Sequence, residues 1–250
     1  MLYEVEITWR TIRQEGLGPL LKKVRAYFCQ LFCGARFFFA RLPRNATAEE
    51  LVDFSFNAAG GLLQLSQVRS EIISLTQLME KRRPKTVVEI GTAHGGTLFL
   101  WCRLAHPQAT VVSIDLPGGI HGGGYPYWKS WIYRRFPLAT QKLHLMRGDS
   151  HKPEMLARLK NVLPGDGKVD FLFIDGDHTY EGVKADFEMY SVLVRPGGMV
   201  VFHDICKHKY AEQINCHVDR FWQEVKNERR ALEFVHNWNQ GAAGIGVIEV

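Results

Sequence analysis

Two short segments of the chain place ionisable side chains directly after an apolar run. They are Asp175, Asp177 and His178 in one segment, and His203 with Asp204 in the other. Carboxylates can hold a divalent cation, and an imidazole, whose ordinary pKa lies near neutral pH, can act as a general base. For each residue alone, a helix-capping aspartate or a hydrogen-bonded core histidine is the alternative. That alternative explains the whole set less well, so the set indicates proton abstraction, with or without a metal ion.

These two segments meet only if their apolar runs are neighbouring strands. Residues 169–174 and 198–203 are rich in β-branched and aromatic side chains, which favours strands. Neighbouring parallel strands bring their carboxyl ends to the same edge of a sheet. We therefore predict that two carboxylates and two imidazoles converge at that edge.

Strands and helices alternate from Pro84 onward. Short β-branched runs predict strands at 86–90, 110–114, 143–147, 169–174 and 198–203. Helices are predicted at about 96–105, 127–136, 152–162, 179–193 and 211–229. Two further strands, 231–235 and 245–250, are joined by a connection too short for a crossover helix and should pair antiparallel. The pattern predicts an α/β fold with a mainly parallel sheet and helices on both faces.

A glycine-rich turn follows the first predicted strand, which carries the acid Glu89. The turn runs from Gly91 to Gly96 with the spacing G-x-x-x-G-G. Backbone N–H groups in such a turn can approach a ligand at the carboxyl end of the strand. The spacing departs from the G-x-G-x-x-G of dinucleotide folds, and the Gly-Lys-Ser/Thr of a phosphate-binding loop is absent. We predict a cofactor site here, with an ordinary tight turn as the alternative.

Acidic residues also end the next two strands. Asp115 follows the second strand and can accept hydrogen bonds from both ribose hydroxyls of a nucleoside bound over the turn. Asp149 and Ser150 follow the third strand, where they can reach an adenine edge. A helix cap or turn aspartate is the alternative for Asp115 taken singly, but its place one unit after the glycine turn favours a nucleoside site.

The first part of the chain differs from the rest in charge. Residues 1–44 hold eight bases and three acids, so they carry the whole net charge of +5, and they also contain an aromatic cluster. This arm is predicted to be helical, and it has three open roles: a lid, a dimer contact, or a peripheral contact with an anionic membrane. Residues 46–83 follow with a capping-box pattern at Thr47 and Glu50, and with a helix predicted past Gly60 and Gly61 over Leu62–Leu78.

Composition narrows the class of protein. The 250 residues are 46% hydrophobic and 23% charged, which suits a globular domain with a full core. The five cysteines include no C-x-x-C pair, and no run reaches the roughly 20 apolar residues of a spanning helix. We therefore expect a reducing, cytoplasmic location without an export signal. Because the residues after the arm are neutral overall, a nucleic-acid substrate is disfavoured.

Several of these motifs together resemble a known family. Glu89-Ile-Gly91, Asp115, Gly148-Asp149, Phe173-Ile-Asp-Gly-Asp-His178 and Pro196-Gly-Gly198 are similar to class I S-adenosylmethionine-dependent methyltransferases. The run from Phe173 onward, with Phe-His-Asp on the next strand, resembles the group of macrolide-sugar O-methyltransferases and cephalosporin hydroxylase-like proteins. The resemblance covers about 84–250. It implies a Rossmann-like sheet of seven strands, the last one antiparallel.

The resemblance also implies roles for individual residues. The glycine turn would pass beneath the methionine part of S-adenosylmethionine, with Glu89 near its ammonium, Asp115 on the ribose, and Asp149 with Ser150 at the adenine. The full set of residues expected at the cofactor is Glu89, Gly91, Thr92, Ala93, His94, Gly95, Asp115, Leu116, Gly148, Asp149, Ser150 and Asp175. Asp175 and His178 would be catalytic, with His178 as the base.

In metal-dependent members of the family, the acid that corresponds to Asp175 and an acidic pair after the next strand bind Mg²⁺. Here that pair is His203 and Asp204, so one member is an imidazole. Because Mg²⁺ prefers oxygen ligands, the imidazole favours a softer ion such as Mn²⁺, or leaves the metal to Asp175 and Asp204. If no metal binds, His178 can deprotonate a hydroxyl directly.

The sequence therefore predicts a helical arm and cap at 1–83 and a catalytic domain at 84–250. The expected activity is O-methylation of a small molecule, a sugar or specialised metabolite, with or without a divalent metal ion, in a homo-oligomer. The alternatives are a nucleoside-binding protein of the same fold without methyl transfer, and an N-methyltransferase or hydroxylase-like enzyme. The glycine-rich loop 116–129, with Tyr125, Tyr127 and Trp128, is interpreted as a lid over the acceptor or as a solvent loop anchored by its aromatics.

Overall fold

The computed structural model describes residues 46–57, 63–118 and 124–250, together with the single positions 18, 21, 25 and 28. Most of the arm 1–44 and the centre of the glycine-rich loop, 119–123, lie outside the described residues, so the expectations for them stay predictions. Within the described part of the chain, no helix has the length and apolar character needed to cross a membrane.

Helix α1 (Ala48–Asn57) begins with the predicted capping box. The Glu50 N–H donates to Thr47 Oγ1 at 3.2 Å, and the Thr47 N–H donates to Glu50 Oε2 at 2.8 Å. These two bonds satisfy backbone donors that have no partner inside the helix. The prediction of a helix start at this point is confirmed.

Helix α2 (Arg69–Arg82) begins later than the sequence predicted. Residues 63–67 alternate between buried and exposed positions, which is the period of extended chain rather than of a helix. The prediction of one helix over Leu62–Leu78 was therefore wrong for its first turns, and Leu62 itself lies outside the described residues. The extended stretch buries the side chain of Gln67.

The strands form one seven-stranded sheet in the order β3-β2-β1-β4-β5-β7-β6. They are β1 (Thr86–Ile90), β2 (Thr110–Asp115), β3 (Lys142–Arg147), β4 (Val169–Ile174), β5 (Val194–His203), β6 (Arg230–Phe234) and β7 (Ile245–Glu249). The pairs among β1 to β5 are parallel, whereas β7 is antiparallel to both β5 and β6. The predicted fold class, with seven strands and the last antiparallel, is confirmed.

The register of the sheet places the site. Ile90 of β1 pairs with Ile174 of β4, and Ile174 pairs with Phe202 of β5. The next residues along these three strands therefore lie side by side at the carboxyl edge: Gly91, Asp175 and His203. The Asp175 N–H donates to the Ile90 carbonyl at 2.8 Å, so the pairing continues to this edge.

The remaining helices connect the strands. They are α3 (Gly96–Leu104), α4 (Lys129–Tyr133), α5 (Pro153–Val162), α6 (Tyr180–Tyr190), α7 (Ala211–Ile214) and α8 (Val218–Lys226), with a 3₁₀ turn at Ser191–Leu193. The helix predicted over 211–229 is two helices, because Asn215 adopts a left-handed conformation with φ 50° and ends α7. The helix predicted over 127–136 is also shorter than expected.

Two apolar clusters cover the two faces of the sheet. On one face, α1, α2, α3 and α4 pack against residues such as Phe171 and Val201. On the other, α5, α6 and α8 pack against residues such as Val88 and Val200. Because α1 and α2 share the core of the sheet, residues 46–57 and 63–83 pack as one body with the strands, and the predicted division after residue 83 stays a prediction.

Candidate active site

A cavity of about 660 Å³ lies at the carboxyl edge of the sheet, and its size suits a small molecule or cofactor. Eight of the residues that the sequence predicted at a cofactor line it: Gly91, Ala93, Asp115, Leu116, Gly148, Asp149, Ser150 and Asp175. The other four predicted residues do not line this cavity: Thr92, His94 and Gly95 belong to the glycine turn, and Glu89 lies on β1 before it.

Close packing explains the first glycine of the turn. Gly91 has φ 90°, and a Cβ at this position would lie 2.0 Å from the carbonyl oxygen of Asp175. Only glycine allows the turn after β1 to approach the end of β4 so closely. The contact therefore joins the predicted cofactor turn to the predicted catalytic acid.

Asp115 is buried at the end of β2 and holds two loops. Its Oδ1 accepts from the Thr92 N–H at 3.1 Å, and its Oδ2 accepts from the Tyr125 N–H at 2.9 Å. Burial raises the pKa of Asp115, and these backbone donors oppose that rise. A carboxylate offers about four lone-pair sites, so acceptor capacity remains for hydroxyls in the cavity.

Glu89 is fully buried and lies outside the cavity lining, and its expected place near a ligand ammonium stays a prediction. Its Oε1 accepts from the Trp101 indole N–H at 2.8 Å. Burial raises the pKa of Glu89 to about 8, although hydrogen bonds from neighbouring side chains lower it. Glu89 is therefore largely protonated at neutral pH.

The other residues of the turn contact its surroundings. Thr92 pairs through its hydroxyl with Ser113, and His94 Nδ1 lies 3.2 Å from Lys129 Nζ. Burial lowers the pKa of His94, and it lowers the pKa of Lys129 to about 8. A Cβ on Gly95 would lie 2.6 Å from the Tyr133 ring. These residues fix the shape of the turn from outside the cavity.

Asp149 and Ser150 line the cavity after β3, and their expected contact with an adenine stays a prediction. Asp149 Oδ1 accepts from the His151 N–H at 2.9 Å, and the Ser150 carbonyl accepts from the Tyr190 hydroxyl at 2.6 Å. These bonds hold the turn after β3 in place at the rim of the cavity.

The four ionisable residues predicted to converge do so. His203 Nδ1 lies 3.0 Å from Asp175 Oδ1, and His178 Nδ1 lies 2.7 Å from Asp204 Oδ2. His178 Nε2 also lies 3.6 Å from Asp175 Oδ1, which closes the cluster. The Ala243 N–H donates to Asp204 Oδ1 at 2.9 Å and so ties the cluster to the loop before β7.

Charge pairing sets the protonation of this cluster. Burial lowers the pKa of His203, but the carboxylates of Asp175 and Asp204 outweigh it and raise the value to about 9. Burial also opposes the charged form of His178, but its hydrogen bonds with Asp204 and Cys216 and the charges of Asp175 and Asp204 raise its pKa well above the ordinary value. In return, the two imidazoles hold the pKa of Asp204 below its ordinary range despite burial.

The donor set fits a divalent cation. Asp175, His203 and Asp204 offer ligand atoms that all lie within 4.8 Å of one another. Nε2 of His203 is buried without a hydrogen-bond partner among the described residues. Two carboxylates and one imidazole suit Mn²⁺ better than Mg²⁺, which prefers oxygen ligands alone.

The sequence reasoning missed three features of the site. Gln67, from the extended stretch before α2, donates its Nε2 to Asp175 Oδ2 at 3.0 Å, and its Oε1 is buried without a described partner. His151 lines the cavity, and Asp186, at 3.4 Å, raises its pKa to about 9. The break at Asn215 also brings Gln213–Asn215 to the cavity. None of these stands in a recognisable motif, because each depends on tertiary contact.

The glycine-rich loop is anchored by one of its aromatics. Tyr125 is buried, and its ring meets that of Tyr133 at 4.8 Å between centroids. Arg147 donates to the Tyr125 carbonyl and stacks on its ring at 4.9 Å. Tyr127, by contrast, is 73% exposed. Of the two interpretations of this loop, Tyr125 fits anchoring by an aromatic, and a lid role for the centre of the loop, 119–123, lies outside the described residues.

Comparisons with known sequences follow the same pattern. A family model described as a methyltransferase domain matches residues 88–205. An uncharacterized protein of Sinorhizobium fredii is 29% identical over 170 residues, which are 66% of this chain and 17% of that protein. An uncharacterized protein of Acanthamoeba polyphaga mimivirus is 30% identical over 141 residues, 56% of this chain and 61% of that protein. The chain thus aligns with less than two thirds of the length of each of these relatives.

Solved structures agree with this match. The O-methyltransferase from Bacillus cereus, in complex with S-adenosylhomocysteine, has a TM-score of 0.55 and 18% identity, covering 89% of this chain and all of that one. The MycE methyltransferase of the mycinamycin pathway, in complex with Mg, S-adenosylhomocysteine and mycinamycin VI, has a TM-score of 0.53 and 19% identity, covering 82% of this chain and 54% of that one. At these identities the likeness establishes the fold. Residues 88–205 thus match a methyltransferase domain, and the fold is the one that the motifs predicted.

Proposed function

We propose that this protein transfers the methyl group of S-adenosylmethionine to a hydroxyl group of a small molecule. The observation that carries the proposal is that Asp175 borders the cavity and also contacts the ionisable cluster, so the two sets of residues meet at this one side chain. Gly91, Asp115 and Ser150 line the cavity on one side, and Asp175 joins it to the cluster of His178 and Asp204 on the other. One set suits a nucleoside cofactor, and the other suits removal of a proton.

The cofactor is proposed to lie across the turn after β1. Gly91 offers a close backbone approach, and Asp115 offers carboxylate oxygens to the ribose hydroxyls. Asp149 and Ser150 border the adenine end. The structures of the Bacillus cereus O-methyltransferase and MycE, which hold S-adenosylhomocysteine, share this fold and support the choice of cofactor.

His178 is proposed as the general base. Its Nδ1 donates to Asp204, which fixes the ring and leaves Nε2 as the atom that exchanges a proton. Because the pKa of His178 is raised, the base must first lose a proton that the neighbouring carboxylates stabilise. Since the sulfonium already activates the methyl group, the protein's main tasks are to align the acceptor oxygen and to remove its proton.

A divalent cation would be held by Asp175, His203 and Asp204. When bound, it would supply a Lewis acid that lowers the pKa of the acceptor hydroxyl. Gln67, by donating to Asp175 Oδ2, leaves Oδ1 directed toward the two imidazoles. The presence of Mg in the MycE complex supports the proposal of a metal but not the choice of ion.

The acceptor is proposed to be a sugar or a specialised metabolite with a free hydroxyl. Its side of the cavity includes the apolar Ile214 and the polar Gln213 and Asn215. This mixture suits a molecule that is partly apolar and carries hydroxyl groups. We also propose that the protein forms a homo-oligomer. The arm 1–44 has three proposed places: over the cavity, at a dimer contact or on a membrane surface.

The test is a release assay for S-adenosylhomocysteine with a library of hydroxylated acceptors, run with Mg²⁺, with Mn²⁺ and with a chelator. We expect product with at least one hydroxyl acceptor and none when that hydroxyl is blocked. Product only from amine acceptors would replace O-methylation by N-methylation. Tight cofactor binding without product from any acceptor would favour a nucleoside-binding protein.

A further inference from the structure

A second group of metal-binding side chains lies against the proposed catalytic cluster. His178, Asp204 and Cys216 offer a ring nitrogen, a carboxylate oxygen and a sulfur that all lie within 4.8 Å of one another. Cys216 is a free cysteine with only 2% of its surface exposed. Its sulfur forms a hydrogen bond with the His178 ring. The three side chains therefore face a common point.

The break between α7 and α8 brings Cys216 to this point. Asn215 takes a left-handed conformation, and the Cys216 N–H donates back to the Ala211 carbonyl at 3.0 Å. The next N–H, that of His217, donates to the His178 carbonyl at 2.8 Å. A continuous helix would not make these two bonds, so the break fixes the cysteine beside the histidine.

The chemistry of this group differs from that of the first. A thiolate with an imidazole and a carboxylate is a set that binds soft or borderline ions such as Zn²⁺ and Co²⁺ in tetrahedral geometry. Ligand atoms around such an ion lie about 3.3 to 3.8 Å apart, so the three atoms need only small adjustments to surround it. Binding would displace the thiol proton.

We infer that His178, Asp204 and Cys216 form a binding site for a thiophilic divalent ion such as Zn²⁺. Asp177 and Thr179, on either side of His178, and Asn215, next to Cys216, all line the cavity. The His178 side chain is itself 21% exposed. An ion can therefore reach the site from the cavity.

The site has a consequence that rests on the proposed function. An ion bound to the ring of His178 occupies the proposed base, and it also takes Asp204 from the set of Asp175, His203 and Asp204. Thiophilic ions are therefore expected to inhibit methyl transfer. Mg²⁺ or Mn²⁺ bound to Asp175, His203 and Asp204 is not expected to inhibit it. The binding itself does not depend on any activity.

The direct test is titration of the reduced, chelator-treated full chain with Co²⁺, followed by absorption spectroscopy. Thiolate bound to Co²⁺ gives a charge-transfer band in the near ultraviolet, which reports the cysteine itself. We expect this band in the wild type and in Cys102→Ser, a matched control at another buried cysteine. The band should be lost in Cys216→Ser, and Zn²⁺ should displace it from the wild type.

A band of equal strength in Cys216→Ser, or its absence from the wild type, would overturn the site. If Cys216→Ser does not fold, Cd²⁺ difference spectra of wild type and His178→Asn replace it, with a weakened thiolate band expected in the variant. An unchanged Cd²⁺ band would overturn the site in that case.

Where methyl transfer is measurable, Zn²⁺ should inhibit the wild type at least tenfold more strongly than Cys216→Ser, each relative to its own metal-free rate. If no acceptor is found, the Co²⁺ result still decides the site, so the two failures are distinguishable.

Discussion

At the carboxyl edge of the sheet, the pKa values of acidic side chains shift in opposite directions on two sides, which we call the binding side and the reactive side after their proposed roles. On the binding side, at the ends of β1 and β2, Glu89 and Asp115 are buried, neutral donors contact them, and burial raises the pKa of each. On the reactive side, at the ends of β4 and β5, Asp175 and Asp204 lie against two imidazoles. There the pKa of Asp204 is lowered.

Both pairs of acids are largely buried, so burial does not explain the opposite pKa shifts. The difference comes from the groups that contact the carboxyl groups. N–H donors from backbone and indole groups hold a carboxyl group in position without supplying a positive charge. This arrangement suits a site whose carboxyl oxygens accept hydrogen bonds from the hydroxyl groups of a ligand. Imidazoles exchange protons near neutral pH and bind metal ions, which suits a site that removes a proton from an acceptor. Each half of the edge can therefore be changed with a different expected result.

The largest effect is expected on the reactive side. His178→Ala should lower the rate of methyl transfer by about 10²- to 10⁴-fold, the usual contribution of a general base. The affinity for S-adenosylhomocysteine should stay within about twofold, because the residue does not border the binding side. Turnover assays and calorimetry measure the two quantities. His208→Ala, at a partly exposed histidine outside the cluster, is the control, and equal rates for both variants would remove His178 from the mechanism.

A second effect concerns the neutral acid of the binding side. Because the pKa of Glu89 rises from 4.5 to about 8 on folding, its contribution to stability is complete below pH 4.5 and is lost as the pH rises through 8. Glu89→Gln, which mimics the protonated acid, should raise the free energy of unfolding at pH 8 by about 4 kcal/mol. The gain should vanish near pH 4.5.

Urea unfolding at several pH values measures this difference. Glu188→Gln, at an exposed glutamate on α6, is the matched control and should show no such dependence on pH. A constant difference between Glu89→Gln and wild type at all pH values would mean that Glu89 is ionised in the folded protein. The contrast between the two sides would then fail.

A smaller effect is expected from Gln67. Gln67→Leu removes the hydrogen bond to Asp175, which is worth about 1.5 to 3 kcal/mol because its acceptor is charged. Turnover should fall by about tenfold, while cofactor affinity stays near that of the wild type. Gln64→Leu changes an exposed glutamine in the same stretch and is the control. Equal turnover in the two variants would remove Gln67 from the positioning of Asp175.

The sequence predicted the parts of this molecule that depend on local pattern. The strand starts at Thr86 and Val169, the capping box at Thr47 and the antiparallel end of the sheet all follow from periodicity and turn residues. The convergence of Asp175 with His203 also follows, because parallel neighbours share an edge. These features need no knowledge of distant contacts.

The remaining features depend on packing that the sequence does not display. Leu62, Leu65 and Val68 stand at helical spacing in the sequence, but burial of Gln67 against Asp175 favours an extended chain. The break at Asn215 in the predicted helix also depends on a distant contact. The His217 N–H donates a hydrogen bond to the His178 carbonyl in the loop after β4. Glu89 lies outside the cavity lining because its partner, Trp101, is on α3.

The most direct test of the two-sided edge is calorimetric titration of S-adenosylhomocysteine into wild type, Asp115→Asn and His178→Ala, with folding checked by circular dichroism. We expect binding to the wild type, a loss of at least about tenfold in affinity for Asp115→Asn, which corresponds to about 1.4 kcal/mol or more, and near wild-type affinity for His178→Ala. Unchanged binding in Asp115→Asn together with weakened binding in His178→Ala would contradict this expectation, as would no binding to the wild type.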